Sequence, residues 1–168
     1  LGAKHPDAGW FVHEHPFDFS LQYNPASGID RMRVGTPPVI ALAALEASLD
    51  IWETVNIRDV RETSIQLTDQ FIKGVEQKCP MLQLITPRIP NNRGSQVSFS
   101  FKHGYAVMQA CIERGVIGDF RAPDVMRFGF TPLFVDSQDV ERASEILAEI
   151  MSKDLWNDPK FQKRNKVT

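Results

Sequence analysis

The chain has 168 residues, enough for one domain with a real core or for parts of two. Its 42% hydrophobic and 24% charged residues are those of an ordinary soluble globular protein, and a net charge of -2 argues against nucleic acid as the main partner. No apolar run reaches the length of a membrane span and no signal peptide is visible, while Cys79 and Cys111 lie far apart without metal-ligand spacing; together these read as a cytoplasmic protein with reduced thiols.

In chain order, Leu1 is not a methionine, and the first residues read as the middle of something rather than a beginning. Residues 1–36 are irregular, rich in glycine and proline, and carry Trp10, Phe11, Phe17, Phe19 and Tyr23. That is too many aromatics for a loop in water, so the segment is expected to lie against another surface. His5, His13 and His15 invite a metal reading, but no carboxylate stands at a recognised ligand spacing and no metal is expected.

Gly35-Thr36-Pro37-Pro38 opens a helix, with proline suited to the first turn. Leu42, Leu45, Leu49 and Trp52 recur at helical spacing among many alanines, which predicts a buried helix. Its N-terminus beside the Thr36 hydroxyl is either a ready anion site or a simple cap. Asn56 with Asp59 looks like a fresh helix start, and Ile57, Val60, Ser64, Leu67, Phe71 and Val75 form one stripe until Cys79-Pro80. Residues 39–78 are therefore one long bent helix or two in series.

Beyond Pro80 the pattern is α+β. Strands are expected over 82–86, 96–101, 116–120 and 125–130, with a helix over 105–114 stopped by Gly115 and a last helix capped by Asp136 or Ser137. This predicts a small, mostly antiparallel sheet with helices on one face. The tail from Lys153 turns polar and basic, with Leu155, Trp156 and Phe161 available to tack it down.

Within the strand at 125–130, Met126, Phe128 and Phe130 point one way and Val125, Arg127 and Gly129 the other. The second set puts a guanidinium beside a residue without a side chain, where a ligand could approach. A planar guanidinium fork on a stiff strand suits a carboxylate or phosphate, so Arg127 is either an anion anchor or one half of a structural ion pair.

Six short motifs then carry a resemblance. Gly9-Trp10-Phe11 with His13, Gly28-Ile29-Asp30-Arg31, Gly35-Thr36-Pro37-Pro38, Arg93-Gly94-Ser95-Gln96, Arg114-Gly115-Val116 with Asp119, and Met126-Arg127-Phe128 ahead of Pro132-Leu133 stand in the order of kynureninase landmarks. Up to about Ser152 the chain resembles the carboxy-terminal part of that family, whose fold is the aminotransferase-like fold type I. The resemblance implies that residues 1–55 end a large cofactor domain and start a linking helix, that 56–152 form a small α+β domain, and that 153–168 are a tail.

It also implies a pyridoxal 5'-phosphate enzyme that hydrolyses kynurenine or 3-hydroxykynurenine to an anthranilate and alanine. By resemblance Arg127 grips the α-carboxylate of the amino-acid substrate, Trp10 lies near the cofactor phosphate and Thr36 supports that phosphate or the substrate side, the last two as cofactor-binding residues reaching into the neighbouring subunit of a homodimer. No catalytic residue is implied within the chain. The lysine that carries the cofactor, the aspartate on its ring nitrogen and the aromatic stacked on its ring are expected before Leu1, and Lys4 stands in the wrong context for the first of these. The chain alone is thus expected to be inactive. The other reading open to the sequence is a non-catalytic small-molecule-binding or oligomerisation module.

Overall fold

The computed structural model describes residues 9–163; His5 and Lys4 lie outside them, as does the end of the basic tail. Contacts group the chain into two units, one up to Thr54 and one from Val55.

The first unit opens with a single 3-10 turn, Trp10–Val12, and a second, Gly28–Met32. The intervening loop is closed by an isolated bridge between His13 and Pro25 and by the Ala26 N–H donating to the Val12 carbonyl at 2.8 Å. Helix α1 follows at Val39–Glu53. Among the described residues of this unit, Val12 and Ala26 alone are buried. The expected burial of α1 is therefore not met: no residue of α1 is buried, and Ile40 is 88% and Leu45 53% exposed. Glu46, Asp50 and Glu53 share one polar stripe, and the broad apolar remainder of α1 is left without cover among the described residues.

The second unit begins with α2, Ile57–Lys78. The chain breaks at Thr54 and restarts at Asn56, whose side-chain oxygen accepts from the Arg58 N–H at 2.9 Å, so two helices in series is the outcome. Strand β1 (Gln83–Leu84) is shorter than the expected 82–86; β2 (Gln96–Ser100), β3 (Asp119–Arg121) and β4 (Val125–Gly129) complete a sheet of order β1-β2-β4-β3, antiparallel throughout. Helices α3 (Gly104–Glu113) and α4 (Ser137–Ser152) lie with α2 on one side of it.

That side is the core. Val97 and Phe99 of β2 and Met126 and Phe128 of β4 are buried against Phe71, Val75, Val107, Cys111, Leu147 and Ile150. Phe71 sits at the centre, 5.0 Å from the Phe128 ring and 5.2 Å from Phe130. The α3 terminus is a Schellman motif: Gly115 takes φ +84, its N–H donates to Ile112 O at 3.0 Å, and the Val116 N–H reaches Cys111 O at 2.9 Å. Tying Val116 to the helix end is why the third strand starts at Asp119 rather than at 116. Helix α4 starts on a capping box, with Asp136 accepting from Gln138 and Asp139 and the Asp139 carboxylate accepting from the Asp136 N–H. Beyond α4, Leu155 and Trp156 pack on the core, Phe161 of the short α5 (Pro159–Gln162) is buried in it, and Lys160 pairs with Glu113 at 2.7 Å.

Candidate functional site

The polar side of the sheet carries the side chains that could meet a ligand. Arg127 lies mid-strand in β4, facing Ser98 of β2 on one flank and Asp119 of β3 on the other. Gly129, two residues along the same face, is exposed, and a Cβ built there would meet nothing within 4 Å. The open space expected beside Arg127 is present.

The ion pair weighed against an anion anchor is present too. Arg127 Nη2 donates to Asp119 Oδ2 at 2.5 Å, and Arg121 Nη2 reaches the same oxygen at 3.1 Å. Two guanidiniums thus share one carboxylate, while a second carboxylate near this face, that of Asp124, accepts from the Ser100 hydroxyl at 2.7 Å. Arg127 Nε and Asp119 Oδ1 are buried without a hydrogen bond, whereas Arg127 Nη1 is neither buried nor hydrogen-bonded among the described residues. The side chain is 31% exposed, so the guanidinium is held from one end and open at the other.

Gly118 makes this arrangement possible. A Cβ there would lie 2.8 Å from the Arg127 carbonyl oxygen and 2.6 Å from Met108 Cε, closer than real side chains approach. Only glycine lets the backbone ahead of Asp119 come so near β4. A hollow of about 500 Å³ in this unit lies elsewhere: Phe71, Phe128, Phe130, Val140 and Ile146 line it on the helix side, and Arg127 does not.

Trp10 and Thr36 belong to the first unit. The backbone at Gly9 touches Val34, which brings the Trp10 turn and the stretch leading to Thr36 together. Trp10 is 55% exposed, stacks on Phe11 at 5.8 Å and lines a hollow of about 270 Å³ with His13, Phe19 and Tyr23. Thr36 is exposed, and its hydroxyl makes no hydrogen bond among the described residues; α1 has no side-chain cap, so Thr36 is not acting as one. His13 is committed to its loop. Its Nδ1 accepts from the His15 N–H at 3.0 Å, which leaves Nε2 to donate to Gln22 O at 3.0 Å. Among the described residues no three His, Cys, Asp or Glu groups converge as metal ligands.

Sequence reasoning singled out Asp119 only as part of a motif and missed its bond to Arg127. The signal was available. A hairpin centred on Pro123 sets Asp119 directly opposite Arg127, four residues away on each side.

Solved structures share this fold. A cysteine desulfurase from Thermococcus onnurineus NA1 matches with TM-score 0.71 at 17% identity, over 88% of this chain and 39% of that one. The cystine C-S lyase C-DES, solved with cysteine persulfide, matches with TM-score 0.68 at 19% identity, over 84% and 37%. The chain thus has the α+β fold of the carboxy-terminal part of aminotransferase-like pyridoxal-phosphate enzymes, as expected.

The family is narrower than the fold. The kynureninase C-terminal domain profile matches residues 60–147, a little over half of the chain, and the chain belongs to that family. A kynureninase of Pseudomonas fluorescens is 46% identical over 165 residues, and one of Burkholderia mallei (strain SAVP1) 42% identical over 167. These alignments cover 97% and 98% of this chain, which spans 40% of each relative's length.

Proposed function

We propose that this chain is the carboxy-terminal part of a kynureninase, a pyridoxal-phosphate hydrolase that splits kynurenine or 3-hydroxykynurenine into an anthranilate and alanine. The observation that carries the reading is identity of 46% running over 97% of the chain to a protein of that name. In this reading residues 1–55 close the large domain and begin the linking helix, 56–152 are the small domain, and 153–168 are its tail. The enzyme is a cytoplasmic homodimer, and the exposed apolar faces of α1 and of the Trp10 loop fit such an association.

The first unit has donors suited to the cofactor phosphate. The Thr36 hydroxyl is unengaged, it precedes the N-terminus of α1, and the indole N–H of Trp10 can only donate. When bound, pyridoxal phosphate supplies an electron sink for the carbon next to the substrate's amino group. The lysine that carries it is contributed from outside residues 1–168, so this stretch alone is inactive. Arg127 takes the α-carboxylate through its open Nη1 end, with charge-assisted hydrogen bonds that fix the substrate's orientation and leave the proton chemistry to other groups.

The test is Arg127→Ala in the full-length enzyme. Anthranilate release should show kcat/KM lower on the order of a hundredfold, mostly through KM, because hydrogen bonds between charged groups are lost. The cofactor absorbance should stay as it is. An unchanged KM would take Arg127 out of the substrate site, and a full-length protein that releases no anthranilate from either substrate would reject the reading altogether.

A further inference from the structure

We infer that Asp119 is a positioning residue for substrate binding: it turns the Arg127 guanidinium so that its free end, not its side, meets the substrate carboxylate. The inference rests on the reading of Arg127 given above and deepens it.

Three observations carry it. First, the register places Asp119 and Arg127 directly opposite each other in antiparallel strands, so their side chains leave the sheet on the same face within reach. Second, the contact is one-ended. Asp119 Oδ2 takes a hydrogen from Nη2, Nε is buried without a partner, and Nη1 is open. Nη2 has a second hydrogen, which with Nη1 forms the end-on pair that a carboxylate bridges. Third, Arg121 holds the same Asp119 oxygen at 3.1 Å. Asp119 therefore divides its charge between two guanidiniums, so the Arg127 cation is less fully neutralised than in a one-to-one pair. Without Asp119 the long arginine side chain, 31% exposed, is free to sample other rotamers, and each binding event must first order it.

The experiment is a double-mutant cycle in the full-length holoenzyme, read as KM and kcat for anthranilate release. Asp119→Ala should raise KM on the order of tenfold with kcat within about twofold and cofactor absorbance unchanged. Asp119→Asn, whose amide oxygen still accepts from Nη2, should recover part of that loss. In an Arg127→Ala background, Asp119→Ala should add nothing, because the group it aims is gone. A residue that merely steadies the β3–β4 hairpin gives a different result: its loss lowers kcat as well and costs the same in both backgrounds. Additive losses, or a normal KM in Asp119→Ala, overturn the inference while leaving Arg127 in place. A normal KM in Arg127→Ala alone removes the substrate role on which the inference stands, and rejects both.

Discussion

Removing the Arg93 side chain should unfasten the loop that delivers β2 to the sheet. The Arg93 side chain is 1% exposed. Its guanidinium binds the Asp69 carboxylate on α2, the carbonyls of Arg88 and, at 3.2 Å, Pro87, and lies 3.4 Å from the Thr68 hydroxyl. In turn Arg61 donates to the Arg93 carbonyl at 2.9 Å, and two residues later the Ser95 carbonyl accepts from the Phe130 N–H at 2.9 Å at the end of β4. In Arg93→Met the aliphatic stem is kept and the charge is lost. Breaking a buried pair from one side typically costs about 3–5 kcal/mol. Asp69 is 41% exposed and can rehydrate, which argues for the lower end, while two carbonyls are left without donors at roughly 1 kcal/mol each. The expected loss is about 3–5 kcal/mol, or roughly 6–20 °C in Tm for a chain of this size. Urea unfolding followed by circular dichroism reads it directly, with Asp69→Asn as a control expected to lose only about 1 kcal/mol because an acceptor remains. A loss below about 1 kcal/mol in Arg93→Met would mean that the loop is held by packing and not by this cation.

Two further outcomes follow from the same contacts. Gly118→Ala places a Cβ against the Arg127 carbonyl, so β3 must shift; stability should fall by about 1–3 kcal/mol, and KM in the full-length enzyme should rise as it does in Asp119→Ala. An unchanged KM would show that β3 tolerates the shift without releasing Arg127. Burial pushes the Cys79 thiol up to about 11 and the Cys111 thiol up to about 12, the latter also through the neighbouring Cys79. Both hold their protons more tightly folded than unfolded, so their contribution to stability is complete below pH 9 and is lost as pH rises toward 11 and 12. Tm measured against pH should fall over that window, less steeply in Cys111→Ala, and equal slopes would remove the thiols as the cause.

What the sequence made legible depended on periodicity. The alternation in β2 and β4 is unambiguous, since Val97, Phe99, Met126 and Phe128 are buried and the serines and Arg127 fall on the other side. The third strand starts later than the pattern predicts because an apolar start at Val116 looks the same whether the backbone continues as a strand or closes a helix; the hydrogen bond to Cys111 decides. α1 shows a different limit. Its composition calls for cover, but composition does not say which surface supplies it, and among the described residues none does. Trp10 could be picked out only by resemblance, because an exposed indole has no periodic signature, whereas Thr36 is marked by its place just before the start of α1.

On the proposed role of Arg127, a structural pair and a ligand-binding group need not compete for one side chain. A lone arginine on an open face would have ample charge and poor aim, since its long stem loses rotamer freedom whenever it binds. One fully bracketed by carboxylates would be aimed and neutralised. The arrangement here lies between the two: a single oxygen on Nη2, a second arginine drawing on that oxygen, and a glycine leaving the far end uncovered. The antiparallel register fixes the first, the step of two residues from Asp119 to Arg121 the second, and the same step from Arg127 to Gly129 the third. The hairpin around Pro123 and the strand beyond it thus convert a short run of sequence into a cation held from one end.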